Sequence, residues 1–157
     1  MKKYLAVLLG MLIMLVLSSC ESSDSDTLAQ REIRDILYDI SYDFNLKDMN
    51  GIMEHLHNDY LHRGMNRYKF NNLWLNRMTL YSLLEIEVLY IDLNGNSAIV
   101  YSKNKFISNS DTQILNEPEE SGDISYFKRD NGVWYIYGDR DTLAQREIRD
   151  ILYDISY

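Results

Sequence analysis

The chain has 157 residues and carries 24 acidic against 16 basic side chains, which gives a formal net charge of −8. Such a negative field repels phosphate backbones and anionic lipid surfaces, and this argues against a nucleic-acid-binding protein. The single cysteine, Cys20, excludes an intrachain disulfide and a cluster of thiolate metal ligands.

The first nineteen residues have the pattern of an export signal. Lys2 and Lys3 precede an apolar stretch at residues 4–17, which is shorter than the roughly 20 residues of a membrane-spanning helix. The ending LSSC at residues 17–20 resembles the lipobox of bacterial lipoproteins. This resemblance implies a signal peptide over residues 1–19, acylation of Cys20 by chains such as palmitate, and stable anchoring to a membrane outside the cytoplasm, periplasmic or at the cell surface.

Residues 20–26 (CESSDSD) are short, polar and acidic, and this composition predicts a solvated tether. The motif TLAQ at residues 27–30 fits a capping box, so a helix is predicted to begin at Thr27. Beyond it apolar residues recur at intervals of three and four, which predicts an amphipathic helix of about five turns. Its apolar positions are Ala29, Ile33, Ile36, Leu37, Ile40 and Phe44.

The next segments alternate between helical and extended patterns. A short second helix is predicted over residues 49–57 and a first strand over residues 59–63. A third helix is predicted over residues 71–83. From there the apolar period changes to two, which is typical of strands.

Two hairpins are predicted in the second half of the chain, each centred on residues that tolerate positive φ. The first pairs residues 85–93 with 97–107 around NGN, and the second pairs residues 123–129 with 133–137 around DNG. The polar residues 108–121 between them are predicted to form a long loop. Helices followed by antiparallel strands predict an α+β fold in which the N-terminal helices pack on a curved antiparallel sheet.

A segment near the start of the chain recurs at its end. Residues 26–42 (DTLAQREIRDILYDISY) are identical to residues 141–157. The offset predicts one domain over residues 27–140, followed by a duplicated first helix that begins a truncated second repeat or reflects an assembly artefact. This extra C-terminal helix is expected to fray, to dock on a surface, or to compete with the first copy for its place in the same or another chain.

The order of elements and three short motifs resemble the nuclear transport factor 2-like superfamily over about residues 27–138. The motifs are NLKDMNGIM at residues 45–53, NDY at residues 58–60 and NGVWYI at residues 131–136. The resemblance implies a cystatin-like, cone-shaped sheet around helices with a pocket at its wide end. Ketosteroid isomerases, scytalone dehydratases and SnoaL-like cyclases catalyse acid/base reactions in such pockets, whereas other relatives bind ligands, dimerise or stabilise partners.

The resemblance implies that the catalytic residues of the ketosteroid isomerases are missing. Gly64 takes the position of their carboxylate base, and Ile40 lies near the position of their donor tyrosine. His62 is the remaining candidate for a general base, because strand alternation places it on one face with Tyr60 and, in the family's phase, inside the cone. A histidine hydrogen-bonded in a partly polar core is the alternative interpretation.

No metal or cofactor is predicted. His55 and His57 with Asp59 imitate a metal-binding cluster. Residues two apart on a helix lie about 200° around its axis, so these histidines cannot easily share one metal ion.

Aromatic residues are abundant, including 13 tyrosines in the whole chain. Tyrosine suits either a pocket for a flat apolar ligand or a packed core and dimer interface. The residues predicted to line a ligand pocket are Tyr42, Tyr60, Trp74, Tyr81, Tyr101 and Tyr126.

These patterns favour a lipid-anchored domain of the cell envelope that binds a small apolar ligand or a partner protein without catalysis. A homodimer formed through the sheet is a further expectation. The alternative function is a small isomerase, dehydratase or cyclase that uses His62 as a general base with tyrosine hydroxyls. A third interpretation is a purely structural lipoprotein.

Overall fold

The computed structural model of the protein describes residues 21–140, with side chains from Asp26 onward. The predicted signal peptide, the predicted acylation site Cys20 and the predicted C-terminal helix lie outside these residues. The chain divides into two units, Met1–Glu32 and Ile33–Tyr157. Within the described residues, no helix has the length and apolar character that crossing a bilayer requires.

Helix α1 spans Glu21–Leu46 and carries the predicted apolar stripe. Ile33, Leu37, Ile40 and Phe44 are at most 1% exposed, which confirms the stripe over this part of the helix. The predicted start at Thr27 is wrong, because the helix already includes the acidic residues predicted to form a tether. Acidic residues at a helix N-terminus complement the partial positive charge of its unpaired amides.

Helix α2 (Met49–Glu54) begins at Asp48, whose carboxylate accepts hydrogen bonds from the amides of Asn50 (3.0 Å) and Gly51 (3.2 Å). It ends earlier than predicted. A small hairpin follows, in which β1 (Leu61–His62) pairs with β2 (Met65–Asn66). The predicted first strand is therefore present but only two residues long.

Helix α3 (Arg67–Leu80) starts before the predicted residue 71, because the side chain of Asn66 caps it by accepting from the Lys69 amide at 3.0 Å. Its buried residues are Phe70, Trp74 and Met78. These three residues recur every four positions, as expected for a helix that packs through one face.

Five antiparallel strands form the main sheet: β3 (Leu83–Asn94), β4 (Ser97–Ile107), β5 (Thr112–Glu117), β6 (Tyr126–Asp130) and β7 (Val133–Ile136). The order is β3-β4-β6-β7, and β5 pairs with β4 beside β6. Both predicted hairpins are confirmed. The predicted loop over residues 108–121 is wrong, because it contains β5, which pairs with β4 from Ser102↔Glu117 to Ile107↔Thr112.

The inner face of β4 divides the core into an apolar and a polar part. Phe106 contacts Phe44 and Trp74, with ring centroids 5.6 and 6.2 Å apart, and Phe70 stacks on Trp74 at 5.1 Å. Burying each such side chain contributes roughly 1.5–3 kcal/mol. Ser102 and Asn104 continue the same face as buried polar residues. The predicted α+β fold, with helices packed on a curved antiparallel sheet, is confirmed.

Candidate functional site

A buried polar cluster lies next to the apolar core. We define it by six side chains that are at most 4% exposed: His62, Ser102, Asn104, Glu117, Asp123 and Ser125. They come from β1, β4, β5 and the turn before β6. Buried polar groups cost free energy unless they are hydrogen-bonded, so their partners decide what the cluster can do.

The imidazole of His62 is 2% exposed and is held on several sides. Its Nε2 lies 2.7 Å from the Ser121 carbonyl, and a carbonyl only accepts, so Nε2 carries the proton. Nδ1 lies 3.3 Å from Asp139 Oδ1, within ion-pair distance but without hydrogen-bond geometry. Burial lowers the pKa of His62, although the Ser121 hydrogen bond and the Asp139 carboxylate oppose that shift. Burial therefore favours the neutral form of the ring.

Two glycines and one tyrosine close the space around this ring. A Cβ atom on Gly122 would lie 3.0 Å from His62 Cε1, and one on Gly138 would lie 3.0 Å from His62 Cβ. Tyr126 packs against the imidazole with a centroid distance of 5.6 Å. His62 therefore points inward, as strand alternation predicted, and lies among packed backbone and side-chain atoms.

Glu117 was not among the predicted site residues. It is the last residue of β5, a largely polar segment that was predicted to be a loop. Its Oε2 accepts from the Gly122 amide and lies 3.5 Å from Ser125 Oγ, whereas its buried Oε1 has no hydrogen-bond partner among residues 21–140. Burial, with a contribution from Asp123, raises the pKa of Glu117 to about 7. This carboxyl therefore titrates near neutral pH.

Asp123 forms a buried ion pair with Arg77 of α3. Its Oδ2 accepts from Arg77 Nη1 at 2.5 Å and from Trp74 Nε1 at 2.8 Å. The hydroxyl of Tyr60 donates to the Asp123 carbonyl at 2.9 Å, and burial raises the pKa of Tyr60. These contacts connect the residue before β1, helix α3 and the turn before β6. They make Asp123 a structural link, and no sequence pattern pointed to it.

The residues predicted to line a pocket are not brought together at one site. Tyr60 and Trp74 are buried in the core, and Tyr126 contacts His62. Tyr81 packs on Phe106 with a centroid distance of 5.6 Å. Tyr42 is exposed on α1, and Tyr101 stacks on Tyr90 at 4.0 Å on the outer face of the sheet. The structure thus does not bring Tyr42 or Tyr101 to His62.

The other two histidines have separate partners. His57 Nε2 lies 3.2 Å from Asp130 Oδ2, and His55 Nε2 lies 4.0 Å from Asp39 Oδ2. Across residues 21–140, no group of three histidine, cysteine, aspartate or glutamate side chains is arranged to hold a metal ion.

A groove of about 460 Å³ opens beside β4, β6 and the segment after β7. We call it the tyrosine groove; it is lined by Ser97, Ala98, Ile99, Tyr126, Phe127, Lys128, Tyr137, Gly138, Asp139 and Arg140. Lys128 Nζ lies 4.5 Å and Arg140 Cζ 4.9 Å from the centroid of the Tyr137 ring. The groove therefore combines aromatic surface with two cationic groups. Of its lining residues, only Tyr126 was among the predicted ligand-binding residues.

Comparison with solved structures identifies the fold. The chain is 15% identical to a nuclear transport factor 2-like protein of unknown function from Pseudomonas putida, with a TM-score of 0.54 over 71% of this chain and 84% of that one. The chain has the nuclear transport factor 2-like fold. A candidate scytalone dehydratase from Novosphingobium aromaticivorans is 13% identical, with a TM-score of 0.53 over 74% of this chain and 84% of that one.

The same fold also occurs within a longer protein from Bdellovibrio bacteriovorus. That protein is 10% identical, with a TM-score of 0.53, and the match covers 69% of this chain but 38% of the Bdellovibrio chain. No protein-family model and no curated protein matches the sequence. At these identities the likeness shows the fold alone, so function has to be argued from the residues.

Proposed function

We propose that this nuclear transport factor 2-like domain is a lipid-anchored binding protein of the cell envelope, which holds a flat apolar molecule bearing a negative group in the tyrosine groove without transforming it. The observation that carries the proposal is the open tyrosine groove, with Lys128 and Arg140 on the Tyr137 ring. Its volume of about 460 Å³ falls in the range of roughly 300–1,000 Å³ that small-molecule sites occupy.

The surroundings of His62 support binding rather than catalysis. A general base must come within hydrogen-bond distance of the proton that it removes. His62 Nε2 already donates to the Ser121 carbonyl, and Nδ1 faces Asp139. Neither His62 nor Glu117 lines the tyrosine groove or the cavities beside His57, Tyr81 and Glu85. Both side chains are at most 4% exposed, which leaves little surface for a substrate to contact.

The lining of the tyrosine groove supports the proposed ligand chemistry. Ile99, Phe127 and the two tyrosines offer apolar and aromatic surface to a flat molecule. Lys128 and Arg140 place positive charge there, in a chain whose net charge is −8. Asp139 also lines the groove, and its Oδ1 accepts from the Arg63 amide at 3.2 Å.

Binding can be tested with anilinonaphthalenesulfonate, a fluorescent probe that joins an aromatic body to a negative group. The protein begins at Glu21, so that neither lipid nor detergent competes for the probe, and its cooperative unfolding is verified first. We expect saturable binding that Tyr137→Ala weakens about two- to tenfold, because an aromatic contact is worth about 0.5–1.5 kcal/mol. Lys128→Gln should also weaken binding, whereas Lys103→Gln on β4, outside the groove, should not. Equal affinity in wild type and Tyr137→Ala would refute the site.

The anchor has its own test in the full chain. The lipobox resemblance at residues 17–20 supports acylation of Cys20. Radiolabelled palmitate should enter the wild-type protein but not Cys20→Ala, and that variant should move from the membrane fraction to the soluble fraction. If the wild-type protein stays unlabelled, the proposed lipid anchor is refuted, whereas the proposed ligand site in the tyrosine groove is not affected.

A further inference from the structure

The first copy of the repeated segment forms part of helix α1 and contributes side chains to the core. Residues 26–42 and 141–157 share all seventeen letters. In the first copy Ile33, Leu37 and Ile40 are 0, 1 and 0% exposed, so they form part of the core. The second copy carries the same side chains at the same spacing, at Ile148, Leu152 and Ile155.

The fold holds α1 by contacts both inside and beyond the repeated segment. Within it, Ser41 Oγ donates to the Leu84 carbonyl at 2.6 Å. Beyond it, Asn45 Oδ1 accepts from the Leu84 amide at 2.7 Å, and Phe44 packs in the aromatic core. Exchange of the repeated part therefore leaves the anchoring turn at residues 43–46 in place.

We propose that residues 141–157 are an interchangeable first helix, which can take the place of residues 26–42 in a second copy of this chain. Ile148, Leu152 and Ile155 are identical to the side chains that the first copy buries at Ile33, Leu37 and Ile40, so the exchange conserves the buried apolar surface. A helix of this length is only marginally stable alone in water, and docking in the core stabilises it. Because the buried side chains are the same in both arrangements, the fraction of molecules with an exchanged helix depends on the linkage between the segments and on protein concentration. Exchange between two copies of the chain is a domain swap.

Paired substitutions in the full chain distinguish the two copies. Leu37→Asp places a charge at a buried position of the first copy, and Leu152→Asp makes the same change in the second copy. We expect Leu37→Asp to keep a cooperative thermal transition, as an oligomer, because the second copy fills the vacated place. The double variant Leu37→Asp/Leu152→Asp should lose the transition. Circular dichroism measures folding, and light scattering coupled to gel filtration measures mass.

The matched control is Tyr38→Asp, at a residue of the same helix that is 69% exposed. It should leave the transition and the mass unchanged. Equal stability of Leu37→Asp and the double variant, whether both are folded or both unfolded, overturns the proposal. A rescued Leu37→Asp protein that stays monomeric at every concentration overturns the assignment to a second copy.

Discussion

Replacement of Asp123 by asparagine removes the negative charge from the buried ion pair and nearly preserves the shape of the side chain. Asp123 is 1% exposed and its Oδ2 accepts from Arg77 at 2.5 Å and from Trp74 at 2.8 Å. Removal of one partner of a buried pair leaves the other charge uncompensated, which costs about 3–5 kcal/mol. The Arg77 side chain retains 13% exposure and lies over the Trp74 ring, so we expect a loss near the lower limit, about 3 kcal/mol.

The protein contains its own control for this charge effect. Glu85 and Lys105 form an ion pair of 3.2 Å on the outer face of the sheet, where their side chains are 55% and 44% exposed. Water screens such a pair, so Glu85→Gln should cost less than about 1 kcal/mol.

Urea denaturation monitored by tryptophan fluorescence measures both losses, and Trp74 reports directly on the ion-pair site. Adding Arg77→Met to Asp123→Asn should recover part of the stability, because the uncompensated charge is then removed. If Asp123→Asn costs no more than Glu85→Gln, the ion pair does not stabilise the turn before β6 and the reasoning is refuted.

Two further predictions concern Glu117 and the glycine beside His62. Because burial raises the pKa of Glu117 from 4.5 to about 7, its stabilising contribution is complete below about pH 4.5 and is lost as the pH rises to about 7, a change of about 3 kcal/mol. Urea titrations at about pH 5 and pH 8 measure the free energy of unfolding, and the difference between the two pH values should disappear in Glu117→Gln. If the variant keeps the wild-type difference, Glu117 is not the group responsible. Gly138 (φ +80°) and Gly95 (φ +59°) share a left-handed backbone, but a Cβ atom would clash with the Leu61 carbonyl only at Gly138. Gly95→Ala should therefore cost about 1 kcal/mol and Gly138→Ala about 3 kcal/mol in the same assay, and equal losses would show that the Leu61 contact is not tight.

The strands show which features of the fold follow from local sequence. Asn94 and Gly95 mark the first hairpin, but strand alternation on β4 buries Val100 and leaves Tyr101 partly exposed, although Tyr101 was predicted to line the pocket. Strand β5 escaped detection because its sequence TQILNE is largely polar and it pairs with β4 alone among the strands. Its last residue, Glu117, consequently escaped detection too.

The site was predictable only in part. Alternation identified the inward direction of His62, since that direction depends on its own strand. The partners of His62 could not be found in this way, because Ser121 and Asp139 lie far along the chain and reach it through packing of β1 against the segments after β5 and β7. The same packing brings Tyr137 and Lys128 together in the tyrosine groove.

The sequence by itself determined the type of most helices and strands, the position of both hairpins and the α+β class. These properties depend on apolar periodicity and turn chemistry, which act over a few residues. Tertiary structure alone decided that β5 joins the sheet, that Glu117 and Asp123 are buried, and that the histidine is enclosed rather than open to a substrate. Burial and pKa depend on residues brought together from distant parts of the chain, and local patterns carry no information about those contacts.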